Sequence, residues 1–247
     1  MTLGAVIPVY NHGEAIGAVA AAVRAHGLPV LLVDDGSEPG CASVLQVLAA
    51  AADSQVQLLR LAQNQGKGGA MVAGFRRAAE LGWTHVLQID ADGQHDAADI
   101  PRFASLSAAN PAHLICGCPV YDDSVPKARL YGRYATHIWV WINTLSLAIR
   151  DSMCGFRIYP LAPTLALVND VSIGRRMDFD TDIAVRLFWR GMRFINQPTA
   201  VHYPTDGVSH FRALRDNVRI SAMHTRLFFG MLPRAPLLLW RRWTRPA

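Results

Sequence analysis

The sequence predicts a single α/β domain with a mostly parallel central sheet, and three observations support this prediction. In the first half of the chain, short apolar runs rich in β-branched residues alternate with alanine-rich stretches of helical length, which is typical of βαβ units. A length of 247 residues with 51% hydrophobic composition provides one ordinary core and little room for a second. The mean hydropathy of +0.16, with only 17% charged residues, excludes a disordered chain.

Five strands are predicted in the first half, over residues 5–9, 30–33, 57–61, 85–89 and 113–117. Helices are predicted between them over residues 14–26, 41–52, 68–81 and 97–109, and a last strand over residues 193–197. Right-handed crossovers place the carboxyl ends of parallel strands at one edge of the sheet, where open α/β sheets bind their ligands. The residues that follow each strand are therefore the first candidates for a binding site.

Acidic and amide side chains follow three of these strands. They are Asn11 after the first strand, Asp34 and Asp35 after the second, and Asp90, Asp92 and Gln94 after the fourth. Turn formation or helix capping accounts for any one of them alone, but two carboxylates close in space repel unless a cation or a proton neutralises them. Mg²⁺ and Mn²⁺ take such oxygen ligands and complete their shell with substrate phosphates and water. The pattern predicts Mg²⁺ or Mn²⁺ together with a diphosphate.

A glycine-rich segment follows the third strand. It has the sequence Asn-Gln-Gly-Lys-Gly-Gly-Ala over residues 64–70. Its glycines would let backbone N–H groups approach a phosphate or a ribose, and a tight helix start explains them equally well. Neither the Walker A motif nor the dinucleotide fingerprint is complete here.

Several motifs in order resemble those of glycosyltransferase family 2. They are Ile-Pro-Val-Tyr-Asn at residues 7–11, Asp-Asp-Gly-Ser at 34–37, Asn-Gln-Gly-Lys-Gly at 64–68, Asp-Ala-Asp-Gly-Gln-His at 90–95 and Asp-Ser-Met-Cys-Gly-Phe-Arg at 151–157. Within the family, the chain is most similar to the dolichyl-phosphate and polyprenyl-phosphate mannosyl- and glucosyltransferases, over about residues 3–204. The resemblance implies a Rossmann-like GT-A fold, an inverting mechanism, a sugar-nucleotide donor and a divalent metal.

The resemblance also implies roles for matching residues. Pro8, Tyr10 and Glu14 would line the base and ribose pocket, and Asp34 or Asp35 would contact the base or ribose. Asp90, Asp92 and Gln94 would form the metal and diphosphate site, with Asp92 as the first choice of ligand. Lys67 would lie near phosphate, although a solvated lysine at a helix start is an equal alternative.

The second half of the chain supplies candidates on the acceptor side. Arg129 and Arg133 are four residues apart and share a helical face, either as surface charge or as a clamp for phosphate. The resemblance implies that these arginines bind the nucleotide sugar through its phosphates, and that acceptor phosphate is bound in the same region. Asp180 and Asp182 align with the family's acidic pair, and Asp180 is the first choice as general base for an acceptor hydroxyl. A lipid phosphate acceptor would need no strong base, and the acids would then position the acceptor or the metal.

The closing segment carries most of the excess positive charge. Residues 212–247 contain eight arginines and one acid, interleaved with leucines and aromatic residues. This composition favours a helix in the interface of an anionic membrane, and no nucleic-acid motif supports nucleic acid as the partner. The sequence thus predicts a domain over residues 1–210, with a nucleotide-binding half at 1–117 and an acceptor half at 118–210, and a basic amphipathic tail at 211–247.

The chain shows neither a signal peptide nor an apolar stretch long enough to span a bilayer. We therefore expect it in the cytoplasm, bound peripherally to the inner face of the cell membrane. The leading hypothesis is transfer of a hexose from a GDP- or UDP-sugar to a lipid-linked acceptor, a polyprenyl phosphate or another lipid or polyene. The alternatives are a membrane-docked nucleotide-binding module without catalysis and a sugar nucleotidylyltransferase, although the latter's usual glycine-rich loop with Arg and Lys is absent after the first strand.

Overall fold

A computed structural model describes residues 1–51, 55–120, 127–201 and 213–244, with the backbone alone at 127–131 and 213. The strands are β1 (Leu3–Val9), β2 (Val30–Asp34), β3 (Val56–Arg60), β4 (His85–Gln88), β5 (His113–Val120), β6 (Arg157–Pro160) and β7 (Arg193–Ala200). The helices are α1 (Gly13–Arg24), α2 (Pro39–Ala50), α3 (Lys67–Glu80), α4 (Ile100–Ala109), α5 (Lys127–Thr144), α6 (Leu161–Asp170), α7 (Phe179–Trp189), α8 (Ala213–Met231) and α9 (Ala235–Thr244). Short 3₁₀ turns at Ala97–Asp99 and Leu232–Arg234 precede α4 and α9.

The strands form one sheet in the order β3-β2-β1-β4-β6-β5-β7. The prediction of an α/β fold with a mostly parallel sheet is confirmed, and the six predicted strands are present with shifted ends. One strand was not predicted: β6 pairs antiparallel with both β4 and β5. Its four residues begin with arginine and end with proline, so neither alternation nor a run of β-branched residues marks it as a strand. The rule that every strand ends at the same edge therefore fails at β6.

Each face of the sheet is covered by helices. Helices α1, α2 and α4 bury one apolar cluster, and helices α3, α6 and α7 bury a second cluster on the opposite face. Both faces of β1 and β2 are thus covered, which explains why their residues are almost all buried and apolar.

A third apolar cluster joins the C-terminal helices to the domain. Met223 and Leu227 of α8 pack with Val140 of α5 and Val185 of α7, and Leu238 of α9 belongs to the same cluster. Arg241 of α9 also donates a hydrogen bond to a carbonyl at the end of α7. The segment predicted as a membrane-interface tail therefore also has a packed face against α5 and α7. Among the described residues, no helix is both long enough and apolar enough to cross a membrane.

His224 lies inside this third cluster and is 5% exposed. Its Nδ1 is 3.3 Å from the amide nitrogen of Asn143, and its ring stacks on Trp139. Burial lowers the pKa of His224 to about 4, so the neutral ring is the folded form at neutral pH.

Acidification should therefore destabilise the fold through His224. Its pKa is about 4 in the folded chain and about 6.5 in the unfolded chain, so the unfolded chain binds more protons as the pH falls through this window. Between pH 7 and pH 5 we expect a loss on the order of 1 to 2 kcal/mol in the free energy of unfolding, absent from His224→Gln. Urea denaturation at both pH values measures it, with the surface variant His26→Gln as control. Equal losses in wild type and His224→Gln would contradict the expectation.

Candidate active site

The carboxyl ends of β1 and β2 are tied together by hydrogen bonds. Asn11 adopts a left-handed backbone with φ of 57°, which asparagine tolerates better than most residues. Its N–H donates to Ser37 Oγ at 3.1 Å, and its Oδ1 accepts from the N–H of Glu38 at 2.9 Å. These contacts hold the end of β1 against the loop that follows β2, at the predicted edge of the sheet.

Three predicted donor-pocket residues lie at the end of β1 and the start of α1. Pro8 and Tyr10 are half-buried, and Glu14 is exposed in the first turn of α1. Pro8 pairs in register with Val33 of β2, so this wall stands beside the Asp34 loop.

Asp34 and Asp35 turn their carboxylates into the protein. Asp34 accepts from the N–H of Ser37 at 2.8 Å and pairs with Arg60 at 3.0 Å. Asp35 accepts from the N–H groups of Gln65 and Gly66, both at 2.7 Å. Burial raises the pKa of Asp35 despite these hydrogen bonds. At 0% and 2% exposed, the two residues present no carboxylate surface to a nucleotide in this structure, so they shape the loops around the edge instead.

The glycine-rich segment binds another part of the same chain. The N–H of Gly68 donates to the carbonyl of Arg175 at 2.9 Å, and a Cβ on Gly68 would collide with the carbonyl of Gly174 and with Phe179. Of the two interpretations of these glycines, phosphate approach and a tight helix start, the contacts favour the second, because the N–H groups of Gly68 and Gly69 already donate to the carbonyl of Arg175. The glycines instead allow the chain before α7 to dock beside Lys67.

Lys67 stands between two carboxylates. Its Nζ is 2.7 Å from Asp90 Oδ1 and 2.7 Å from Asp180 Oδ2. Burial opposes the positive charge, but Asp180 and Asp90 outweigh it and raise the pKa of Lys67. Burial likewise opposes the charge of Asp90, but Lys67 and His95 hold the pKa of Asp90 well below its usual range. The structure thus brings together Lys67, Asp90 and Asp180 from three separate elements.

Asp92 lies two residues beyond Asp90 and has no ion pair with a described residue. Its Oδ1 accepts from the N–H of Gln94 at 3.0 Å, which fixes the turn after β4. Burial and then the charge of Asp90 raise the pKa of Asp92, as expected for a carboxylate pair without full compensation. No cluster of three or more acidic, histidine or cysteine side chains suited to a metal exists in the described part of the chain.

Helix α7 directs its two predicted acids to different places. Asp180 reaches Lys67, whereas Asp182 is 1% exposed and accepts from the N–H of Gly174 at 2.8 Å. Asp182 also pairs with Arg186 one turn later. The structure therefore brings Asp180, and not Asp182, to the cluster around Lys67.

Arg133 lies beside a cavity on the second half of the domain. Its guanidinium pairs with both carboxylate oxygens of Asp151, at 2.7 and 2.8 Å. The cavity has a volume of about 230 Å³, and its wall includes His137, Arg150 and Trp141. Asp151 also accepts from the N–H groups that begin the turn toward Gly155, where a Cβ would collide with the carboxylate of Asp90. One turn of chain thus connects the cavity with Asp90. The side chain of Arg129 is outside the described residues.

Four residues at this site had no role assigned from the sequence: Gln88, His95, Arg157 and Tyr159. His95 stacks on Phe156 and places Nε2 3.9 Å from Asp90 Oδ2. Gln88, Arg157 and Tyr159 are fully buried beneath Asp180. Gln88 is a glutamine inside an apolar strand, and Arg157 directly precedes Ile-Tyr. A polar residue in a segment that is expected to be buried is unusual, and this signal could have identified both.

The family model described as "Glycosyl transferase family 2" matches residues 5–173. An undecaprenyl-phosphate mannosyltransferase of Micrococcus luteus is 29% identical over 78% of this chain and 80% of its own length. A polyprenol monophosphomannose synthase of Mycolicibacterium smegmatis is 32% identical over 62% of this chain and 60% of its own length. The sequence thus resembles one enzyme named as an undecaprenyl-phosphate mannosyltransferase and one named as a synthase of polyprenol monophosphomannose.

Solved structures share the fold. A glucosyl-3-phosphoglycerate synthase of Mycobacterium tuberculosis, crystallised with Mn²⁺ and UDP-glucose, has a TM-score of 0.65 and 15% identity, covering 94% of this chain and 78% of its own. The GT-A fold predicted from the motifs is confirmed by such neighbours.

Substitution of Gly68 should disturb both fold and site. Because a Cβ there meets the carbonyl of Gly174 and Phe179, we expect Gly68→Ala to lower the free energy of unfolding by about 1 to 3 kcal/mol. Gly17→Ala is the matched control, since Gly17 also lies in a helix with nothing within 4 Å of its Cβ position. The control should gain up to about 1 kcal/mol from helix propensity. Chemical denaturation measures both, and an unchanged Gly68→Ala would contradict the docking of residues 174–175.

Proposed function

The chain belongs to glycosyl transferase family 2 and is a glycosyltransferase, and from this premise we propose that it moves a hexose from a nucleotide diphosphate sugar to a lipid phosphate. The observation that supports this most is the cluster of Lys67, Asp90 and Asp180 beside Asp92, at the carboxyl edge of the sheet. The names of the relatives favour a polyprenyl phosphate as acceptor. A UDP- or a GDP-hexose is the proposed donor.

The donor would bind along the ends of β1 and β4. Pro8, Tyr10 and Glu14 form the proposed wall for base and ribose, while Asp34 and Asp35 hold that wall from behind. This arrangement brings the diphosphate toward Asp90 and Lys67, where the ammonium provides a fixed positive charge.

The donor set fits a divalent cation, Mg²⁺ or Mn²⁺. Asp92 and Asp90 would be its carboxylate ligands, with the amide oxygen of Gln94 as a further candidate. The raised pKa of Asp92 beside Asp90 supports this, because a cation would relieve their repulsion. Two carboxylates with at most one amide oxygen suit an ion whose shell is completed by substrate phosphates and water. The chemistry supplied by such an ion is neutralisation of charge on the leaving diphosphate.

The transfer itself needs an acceptor oxygen in line with the leaving group. A bond forms between this oxygen and the anomeric carbon, the bond from that carbon to the diphosphate breaks, and the nucleoside diphosphate leaves with the electron pair. Attack from the opposite side inverts the anomeric centre. Asp180 would accept the proton when the acceptor carries one, and otherwise it keeps Lys67 in place. Asp182, held by Gly174 and Arg186, would position the start of α7.

The cavity beside Arg133 is the proposed place of the acceptor phosphate. Arg150 and Arg133 provide cationic groups there, and the turn from Asp151 to Gly155 leads to Asp90. Arginine suits this task because its planar fork binds phosphate oxygens in pairs. The fork of Arg133 is occupied by Asp151, so Arg150 would bind the phosphate oxygens and Arg133 would add its charge. Arg129, one helical turn before Arg133, would add a further charge.

Exposed apolar and basic side chains favour docking to an anionic membrane. The large exposed apolar residues are Tyr134, Ile138, Trp139 and Ile142 in α5 and Leu237, Leu239, Trp240 and Trp243 in α9. Arg242 of α9 donates to the carbonyl of Leu145, so α9 lies next to the end of α5. Aromatic and leucine side chains beside arginines are typical of surfaces that enter a lipid interface. A peripheral position would bring the cavity to a lipid-linked acceptor.

Asp92→Asn tests the metal and donor assignment. We expect sugar transfer from UDP-glucose or GDP-mannose to a polyprenyl phosphate to fall at least about 100-fold, because the proposed ion loses its unpaired carboxylate. Calorimetry should show that the Mn²⁺-dependent part of UDP or GDP binding is lost as well. Asp170→Asn, which changes an exposed carboxylate on α6, is the control. Transfer within twofold of wild type in Asp92→Asn would rule out the assignment.

Removal of the two exposed tryptophans of α9 tests the membrane surface. Trp240 and Trp243 are 57% and 87% exposed. We expect the double change to serine to weaken binding to phosphatidylglycerol vesicles about tenfold, and wild-type binding to weaken with salt. Val47→Ser, a change at an exposed apolar residue of α2, is the control. Co-sedimentation measures the binding, and equal binding of wild type to phosphatidylcholine vesicles would contradict the electrostatic part.

A further inference from the structure

Asp180 is held at its side chain and at its backbone by one closed set of buried hydrogen bonds. We propose that Gln88, Tyr159 and Arg157 form a positioning ring that fixes the carboxylate of Asp180 and, through it, the ammonium of Lys67. The inference rests on the proposed function, because it assumes that Asp180 acts in the transfer. None of the three residues is expected to touch donor or acceptor, since all are fully buried.

The first half of the ring holds the carboxylate. Gln88 Nε2 donates to Asp180 Oδ1 at 2.8 Å. Tyr159 donates its hydroxyl to Gln88 Oε1 at 3.1 Å. The hydroxyl thereby determines which end of the Gln88 amide faces Asp180. With Oδ1 bound to Gln88 and Oδ2 bound to Lys67, rotation of the carboxylate would break one contact or the other.

The second half of the ring holds the backbone. Arg157 Nη1 donates to the carbonyl of Asp180 at 2.7 Å and to the hydroxyl oxygen of Tyr159 at 3.3 Å. The path from the Asp180 carboxylate through Gln88, Tyr159 and Arg157 thus returns to Asp180. Because both its side-chain carboxylate and its backbone carbonyl are held by hydrogen bonds, Asp180 has little freedom to shift.

Sheet register explains why these residues meet. Gln88 pairs with Arg157, and Val86 pairs with Tyr159, in the antiparallel ladder between β4 and β6. Opposed residues of such a ladder point to the same face, as do residues two apart on one strand. Gln88, Arg157 and Tyr159 therefore share one face of the sheet, beneath the first turn of α7.

The surroundings make the ring both strong and sensitive. Phe75 packs edge-on against Tyr159 with ring centroids 5.1 Å apart, and the second apolar cluster encloses the site. Hydrogen bonds that are shielded from water are stronger, but a buried polar group left without a partner there lowers the stability of the fold. Arg157 already leaves Nε and Nη2 without a hydrogen-bond partner among the described residues. A fully buried guanidinium with two unsatisfied nitrogens contributes poorly to stability alone, which favours a role in placing Asp180.

Asp180 has a positive group on each side. The Lys67 ammonium lies against its carboxylate, and the Arg157 guanidinium lies against its backbone carbonyl. These two charges oppose displacement of Asp180 from its place.

Tyr159→Phe tests the ring with the smallest change, since it removes one hydroxyl and keeps the aromatic volume. We expect kcat for sugar transfer to fall about 10- to 100-fold, by analogy with the outer hydrogen-bond partners of metal ligands. KM and Kd for the nucleotide in Mn²⁺ should stay within twofold of wild type, because the change affects only the placement of Asp180. For Gln88→Met we expect the same fall in kcat, again with KM and Kd within twofold of wild type. The double variant should be no slower than the slower single variant, because both changes break the same ring.

Thr164→Val is the matched control. It removes another fully buried hydroxyl, which donates to the carbonyl of Pro160 at the end of β6 and does not touch Asp180. The control should lose stability with kcat within twofold of wild type. All variants are assayed at a temperature where denaturation curves show them folded, so that lost stability does not appear as lost turnover.

Two results would overturn the inference: a kcat within twofold of wild type in folded Tyr159→Phe, or multiplicative losses in the double variant. Failure of the proposed function has a different signature. If Asp180→Asn transferred sugar as fast as wild type, Asp180 would have no part in transfer, whatever Tyr159→Phe does. Loss of transfer in Asp180→Asn with full activity in Tyr159→Phe would reject the ring alone.

Discussion

The ammonium of Lys67 between Asp90 and Asp180 is the interaction on which the arrangement of this site depends. Asp90 follows β4, Asp180 lies in the first turn of α7, and Lys67 begins α3, so three remote segments meet at one nitrogen. Without that charge, the carboxylates would repel in a largely buried place. The glycines before and after Lys67 matter for the same reason, because they let residues 174–175 lie close enough for α7 to start beside it. The backbone conformation around Lys67, the docking of residues 174–175 and the pairing of the two carboxylates thus depend on one another.

The gathering of acidic side chains at one edge of the sheet could be predicted, because these residues lie directly after strands that local patterns reveal. The antiparallel β6 could not, since four residues without alternation carry no signal. Nor could the partner of the glycine-rich turn, which is the carbonyl of Arg175, far along the chain. Helix geometry alone predicts that Asp180 and Asp182 cannot both face the site. Residues two positions apart lie about 200° apart around the axis of a helix, so only one of them can face a given point.

For the C-terminal segment, the sequence predicts the helices but not the partners of their apolar faces. Its arginines and clustered leucines and aromatics predict an amphipathic helix, and α8 and α9 are helical. The pattern does not say what the apolar face meets. Met223, Leu227 and Leu238 pack on the domain, while Leu239, Trp240 and Trp243 stay exposed. A helix with apolar residues on more than one side can thus pack against a protein core with one face and leave another face available to a lipid interface.

The place of β6 in the sheet also has a consequence for how the chain assembles. Strands β4 and β5 are consecutive in sequence, yet β6 lies between them, and β7 covers the far side of β5. During synthesis β5 therefore has no partner until α5 and the segment after it have been made. Until then, one edge of β4 and both edges of β5 remain open to wrong pairing, a hazard for slow, non-local topologies. The strand that joins β4 to β5 also delivers Arg157 and Tyr159, so the site forms only after β6 has entered the sheet.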